Sequence, residues 1–268
     1  MTVPADSTRC NLWDASPRGR LAAARALTPA ELDDLSQRFL TGCPKDTWPY
    51  GCSTAINPWI VFLGPSPGAS PAPGDPNYLT RIGHSPTAGT PPASMVYHDP
   101  RGYFDRLREL TVAVLRADGG ADFSETEALA LSGMMNLDSG ASGKAQKVTL
   151  DRAFARWALD VSVRCLRPRY VVGVGLGGFV QQAEHRWLLE AIGAYVGNAF
   201  HPARPHQEKV FEGYPDKRYL FRAWHVTNGS LGPQHFILFP QHPSRAPMTS
   251  PRVWTAAVRE FVTFVASL

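Results

Sequence analysis

Cysteine is scarce. Cys10, Cys43, Cys52 and Cys165 are the four in 268 residues, and no two of them form a C-x-x-C pair. That spacing argues against a zinc knuckle and for scattered reduced thiols, with an iron–sulfur cluster left as the one cofactor that the colour of purified protein would reveal. Neither metal nor cofactor is otherwise expected. Long apolar runs are also missing: no stretch reaches the roughly 18 residues that would span a bilayer, and no early run resembles a signal-peptide core. The chain is therefore expected to be soluble and cytoplasmic, without a membrane partner. A strong charge of one sign is lacking too. A net charge of +4 and a pI near 9.0 permit a polyanionic partner without demanding one. Two catalytic signatures are absent as well. There is no Gly-x-Ser-x-Gly elbow of an α/β hydrolase, and Gly175-Leu176-Gly177-Gly178 fails the dinucleotide-binding spacing because residue 180 is Val180.

What is present suffices for a packed core, since 44% of the residues are hydrophobic. Residues 1–42 read as an N-terminal arm and helix. Residues 1–27 are weakly patterned, with a frayed arm or a short helix around Leu21–Leu27. Thr28-Pro29-Ala30-Glu31 then combines an N-cap, a proline at the first helical position and a capping-box glutamate, and Gly42 ends that helix. Residues 43–268 read as one α/β body. Trp59–Leu63, Ala128–Leu137, Tyr170–Val174 and Phe236–Phe239 are continuous apolar runs of buried-strand type. Helical spacing separates them, over Tyr103–Leu115, from a Thr149 cap to Pro168, from the Gly175 turn to about Ile192, and from Ser250-Pro251 onward. The pattern predicts an α/β fold: a three-layer αβα sandwich around a central, mainly parallel four-stranded sheet.

Polar singularities fall at the carboxyl ends of these strands, where a parallel sheet forms its ligand crevice. The first is Gly64-Pro65-Ser66-Pro67-Gly68, a rigid loop that lets backbone approach a ligand, or an ordinary strand-to-helix turn. The second is Asn136, which offers a donor and an acceptor together for reading a base edge, or takes part in the turn chemistry of the Asn/Asp/Gly-rich residues up to Lys144. The third is His242-Pro243-Ser244-Arg245, where the histidine that follows the last strand is a site candidate or simply caps a loop. A Pro/Gly-rich stretch from Ala69 to Pro100 carries Asp75, Tyr78, Arg81, His84 and Tyr97 and reads as a binding loop or lid. The polar insertion at 193–234 interleaves basic and aromatic residues. It suits either a nucleic-acid strand or a β-hairpin on the sheet edge, with Tyr219, Phe221 and Ala223 alternating.

In type, order and approximate spacing these three motifs resemble those of the uracil-DNA glycosylase superfamily: a Gly-x-x-Pro-Gly-like loop, an asparagine closing a later strand and a His-Pro-Ser turn. The likeness covers roughly Asn57 to the C-terminus. It implies a DNA partner, a nucleotide flipped out of the stack, and hydrolysis of its N-glycosidic bond. Asn136 would read the base, with Gly64, Pro65, Pro67, Gly68 and Tyr78 around it and Tyr78 or Tyr97 stacking on it. His242 would stabilise negative charge on the leaving base. Pro243, Ser244, Arg245 and Lys144 would meet the DNA, with Arg245 or Met248 as a wedge.

One departure bears on mechanism. The family carries an acid or amide in the first loop where this chain has Pro65 and Ser66. Ser66 can orient a water but is a poor general base, so Asp75, or after it Asp138, would supply the carboxylate, unless catalysis is lost. The resemblance leaves the base open between uracil and a hypermodified pyrimidine of phage DNA, and the role open between repair and antiphage defence. The alternatives are a catalytically inactive DNA or modified-nucleotide binder of the same fold and, weakened by the missing elbow, an unrelated α/β hydrolase. A monomer without an obligate protein partner is expected.

Overall fold

The computed structural model describes residues 12–31, 34–35, 42, 57–65, 102–119, 123–138, 150–177, 180, 183–196, 205, 207–211, 219–226 and 234–268. Six strands form one mixed sheet in the order β2-β1-β3-β6-β5-β4. They are β1 (Ile60–Gly64), β2 (Ser132–Asn136), β3 (Tyr170–Gly173), β4 (Gln207–Phe211), β5 (Tyr219–His225) and β6 (His235–Leu238). The neighbours β2, β1, β3 and β6 run parallel, whereas β5 and β4 extend the sheet antiparallel from β6. The expected four-stranded sheet is thus a six-stranded mixed one. The two added strands come from the 193–234 insertion.

Alternation along the strands sorts side chains onto two faces. Ile60, Phe62, Met134, Val172 and Ile237 pack with α1 (Pro17–Arg25), α2 (Tyr103–Gly119), α3 (Glu125–Ala130) and α6 (Pro251–Val265). Val61, Leu63, Met135, Val171 and Leu238 pack with α4 (Arg152–Asp160) and α5 (Arg186–Val196). The helical spacing read for α2 is matched on its buried face: Phe104, Leu107, Leu110, Val114 and Leu115 are all in the core. The Thr28–Glu31 capping box forms, with the Thr28 amide donating to the Glu31 carboxylate over 2.9 Å and the Glu31 amide donating back to Thr28 Oγ1 over 3.3 Å.

Helix α1 starts earlier than its expected place around Leu21–Leu27, and it is docked. Leu21 and Ala24 are buried, and the Arg20 guanidinium donates to the carbonyls of Asp14, Pro58 and Arg167 over 2.9, 2.7 and 2.9 Å. Burial pulls the pKa of that guanidinium down to about 10, and the three carbonyls take three of its five N–H donors. Beside it, Trp59 Nε1 and Tyr170 Oη donate to the Asp118 carboxylate, whose pKa burial raises; burial likewise pushes Tyr170 up to about 12. These groups brace the amino ends of β1 and β3, the opposite pole from the candidate site.

Two boundaries differ from the sequence expectation. Residues Ala128–Ala130, read as the start of a strand, finish α3, whose Ser124–Glu127 capping box is complete. A short apolar run has no period of its own, and the cap decides it. Helix α4 is capped by Asp151, whose carboxylate accepts from the Ala153 and Phe154 amides, and not by Thr149. It continues through a π-helical turn, Val161–Cys165.

Phe221 and Trp224 of the insertion are core residues, which corrects the strand-stacking reading for these two. Phe221 lies within 5.4 to 5.8 Å of Phe239, Phe261 and Phe264, and Trp224 packs on Phe236. Its described cations form ion pairs, Arg222 with Glu208 at 2.8 Å and Lys209 with Glu260 at 2.7 Å. Phe221→Ala is accordingly expected to cost about 3–5 kcal/mol of stability in urea unfolding. A loss under about 1 kcal/mol would show that Phe221 does not belong to the core.

Candidate active site

Three ladder bonds continue past the strand ends and fix what stands there. The Leu137 amide donates to the Gly64 carbonyl over 2.9 Å, the Val174 amide to Leu63 over 2.9 Å, and the Phe239 amide to Gly173 over 3.0 Å. Gly64 is the register partner of Asn136, and the Asn136 amide is folded over it: a Cβ on Gly64 would stand 2.7 Å from Asn136 Oδ1. Strand parity puts both on the side of Phe62 and Met134, the face covered by α2 and α6. Asn136 is 0% exposed, so in this conformation its amide is packed inside and does not meet solvent. Pro65 is buried beside it.

His242 reaches the same face from the far side. Residues 242–245 form a tight turn closed by the Arg245 amide donating to the His242 carbonyl over 3.0 Å. Inside it the Ser244 amide donates to His242 Nδ1 over 3.2 Å, and Ser244 Oγ lies 2.9 Å from the same atom. A backbone N–H can only donate, so Nδ1 accepts, and the neutral ring carries its proton on Nε2. The imidazole lies on the Tyr103 ring, with centroids 4.8 Å apart and planes 9° apart. Its Cδ2 edge closes on Gly175, where a Cβ would come within 2.9 Å, and Gly175 has φ +76. Gly64 ends β1 and Gly175 follows β3, and these two strands are parallel neighbours. An amide covers one glycine and an imidazole abuts the other.

Helix α2 anchors the turn. Arg106 donates from Nη1 to the Pro243 carbonyl over 3.0 Å and from Nη2 to the Thr249 carbonyl over 3.1 Å. Pro243 is buried, Ser244 half-buried and Arg245 exposed. Met248, an expected wedge, is 0% exposed and sits in the core. It anchors the turn from within, and this corrects its assignment to a DNA surface.

The structure thus places Gly64, Pro65 and Asn136 at the carboxyl ends of β1 and β2, and Gly175, His242, Pro243, Ser244 and Arg245 beyond those of β3 and β6. Asp138, half-buried, follows Asn136 at the end of β2. Ser66, Pro67, Gly68, Asp75, Tyr78, Tyr97 and Lys144 lie outside the described residues, as do Arg81 and His84. Tyr103 and Arg106 escaped the sequence reading. Tyr103 opens a helix, and Arg106 stands one turn further along it, so both look like ordinary first-turn residues until the fold closes.

Among the described residues no cluster of three or more His, Cys, Asp or Glu could hold a metal ion. No helix among them is long and apolar enough to cross a membrane. No protein-family model matches the chain, and comparison with curated proteins finds no match.

Two glycines provide an internal control. Gly175→Ala adds a methyl group against His242 at positive φ and is expected to cost about 1–3 kcal/mol and to shift the His242 ring resonances. Gly177→Ala meets nothing within 4 Å and should do neither. Equal effects from the two substitutions would refute the close approach of Gly175 to the imidazole.

Proposed function

We propose that the chain is a DNA glycosylase of the uracil-DNA glycosylase kind, with the three-layer αβα arrangement that this kinship entails. The observation that carries this reading is the His242 turn: an imidazole that accepts from the Ser244 amide at Nδ1, and so offers Nε2–H when neutral, set beyond the carboxyl ends of a parallel sheet. Breaking an N-glycosidic bond leaves negative charge on the departing base. A neutral N–H donor held in place stabilises that charge with little reorganisation, and removal of one such donor typically lowers a rate by about 10²–10³. The substrate base in this proposal is a flipped pyrimidine, uracil-like or hypermodified. Asn136 reads its edge, with Gly64 and Pro65 forming the backbone wall and Tyr78 stacking on it. Ser66 orients the attacking water, and Asp75 or Asp138 accepts its proton.

Arg245 and Arg252 support a polyanionic partner. Both are exposed; Arg245 closes the turn, and Arg252 is the second residue of α6, in a first turn that holds no acidic residue. A cation there opposes the helix dipole, a cost that a neighbouring phosphate would offset. Each cation withdrawn from the phosphate backbone should flatten the plot of log K against log salt by about 0.9. Arg245→Gln with Arg252→Gln is therefore expected to reduce that slope by about 1.8 in a DNA titration. An unchanged slope would remove these arginines from the interface.

A second reading is favoured by the full burial of Asn136 and by Pro65 at a position where the family carries an acid or amide. In it the same crevice binds DNA or a modified nucleotide without hydrolysis. One assay separates the two. Oligonucleotides containing uracil, a thymine mismatch, or hydroxymethylated or glucosylated cytosine are incubated with the protein, and alkali-labile abasic sites are scored. The glycosylase reading expects cleavage of at least one, with His242→Ala about 10²–10³-fold slower and Asn136→Ala also slower. Tight binding with no abasic sites on any substrate would establish the binder instead. Whichever of Asp75→Asn and Asp138→Asn abolishes turnover identifies the water's base.

A further inference from the structure

Two torsions set the direction of a histidine side chain, and a ring tethered through one nitrogen can still swing about that atom. The Ser244 donors fix His242 Nδ1 in place but leave the tilt of the plane to other contacts. Gly175 crowds one edge only. The face of the ring is met by Tyr103, at a centroid separation of 4.8 Å and an interplanar angle of 9°. Tyr103 is in turn held against Phe104, ring centroids 5.1 Å apart in an edge-on arrangement, and Phe104 is in the core.

The same helical turn holds the backbone of the His242 segment. Arg106 lies three residues beyond Tyr103, a spacing that puts both on one side of α2. Its two hydrogen bonds, 3.0 Å to the Pro243 carbonyl and 3.1 Å to the Thr249 carbonyl, tie that side to both ends of the turn. Its guanidinium also lies 5.9 Å from the Trp254 ring of α6. Backbone and side chain of His242 are therefore gripped by one turn of one helix, on the face shared with Asn136.

We infer that Tyr103 is a positioning residue: its ring fixes the plane of the His242 imidazole so that Nε2–H is aimed into the crevice. An aromatic face attracts a cation, so the stack by itself would favour the charged imidazole, whereas the Ser244 amide requires the neutral one. The contribution of Tyr103 is thus orientation, while Ser244 sets the protonation state. The aim of Nε2–H at a departing base rests on the glycosylase reading; the restraint on the ring does not.

The test uses the full-length protein with ¹⁵N-labelled histidine and three variants. Tyr103→Phe keeps the ring and removes the hydroxyl, Tyr103→Leu removes the ring, and Tyr103→Met removes it with a longer, more adaptable side chain should the leucine variant fold poorly. In long-range ¹H–¹⁵N spectra the wild type and Tyr103→Phe should show His242 as the Nε2–H tautomer, with ring protons shifted upfield by the stacked aromatic. The two ringless variants should lose that upfield shift while keeping the Nδ1 acceptor signature. On the substrate found in the base panel, Tyr103→Phe should stay within about twofold of wild type, and the ringless variants should lose about 10²-fold in single-turnover rate with DNA affinity unchanged.

Ringless variants that keep both the ring-proton shifts and the rate overturn the inference. So does a Tyr103→Phe variant as slow as Tyr103→Leu, because it would assign the role to the hydroxyl. If wild-type protein cleaves no base, the glycosylase reading fails alone, and the spectra still decide whether Tyr103 holds the ring.

Discussion

The in-register parallel ladder of β2, β1, β3 and β6 is the constraint on which the candidate site rests. Residues 64, 136, 175 and 242 are far apart in the chain, and no local preference brings them together. The ladder does, because neighbouring strands end within one residue of each other and the bonds from Leu137, Val174 and Phe239 continue the pairing past the strand ends. A slip of one residue in any strand would turn its inward side chains to the opposite face and part Asn136 from the α2 side. The hydrophobic cores on both faces guard against this, since the slip would also exchange Ile60 and Phe62 for Val61 and Leu63.

Within that frame two glycines set how closely the polar groups approach the backbone. Gly64 makes room for the Asn136 amide, and Gly175 makes room for the His242 ring. The turn from 242 to 249 is held by Arg106 outside and by Met248 inside. Preorganisation of this sort is what a site aimed at developing charge requires, and it costs exposure: the asparagine is sealed while the histidine is only half-buried.

How much of this was legible depended on the range of the signal. The β1 run and the face of α2 were readable because apolar period and bounding turns are local properties. The carboxyl-end placement of Asn136 and His242 was readable because four buried strands separated by helices leave few topologies. The start of β2 was misread, since Ala128–Ala130 are apolar in either structure and the deciding Ser124–Glu127 cap lies upstream. Met248 was misread for a related reason: a lone methionine in a polar turn gives no sign of which way it faces. Tyr103 and Arg106 carried no signal at all, because their partners in the 242–249 turn are remote in the chain.

The sheet order makes the two ends of the crevice mechanically unequal. Strand β6, which leads to the histidine, is flanked by β3 and β5, so loosening it breaks two sets of backbone bonds. Strand β2, which ends in the asparagine, stands at the border of the sheet among the described residues, where its strand partner is β1. Local opening is cheapest where the fewest bonds and contacts must break. Opening at that border would therefore uncover the sealed amide before it disturbed the histidine turn.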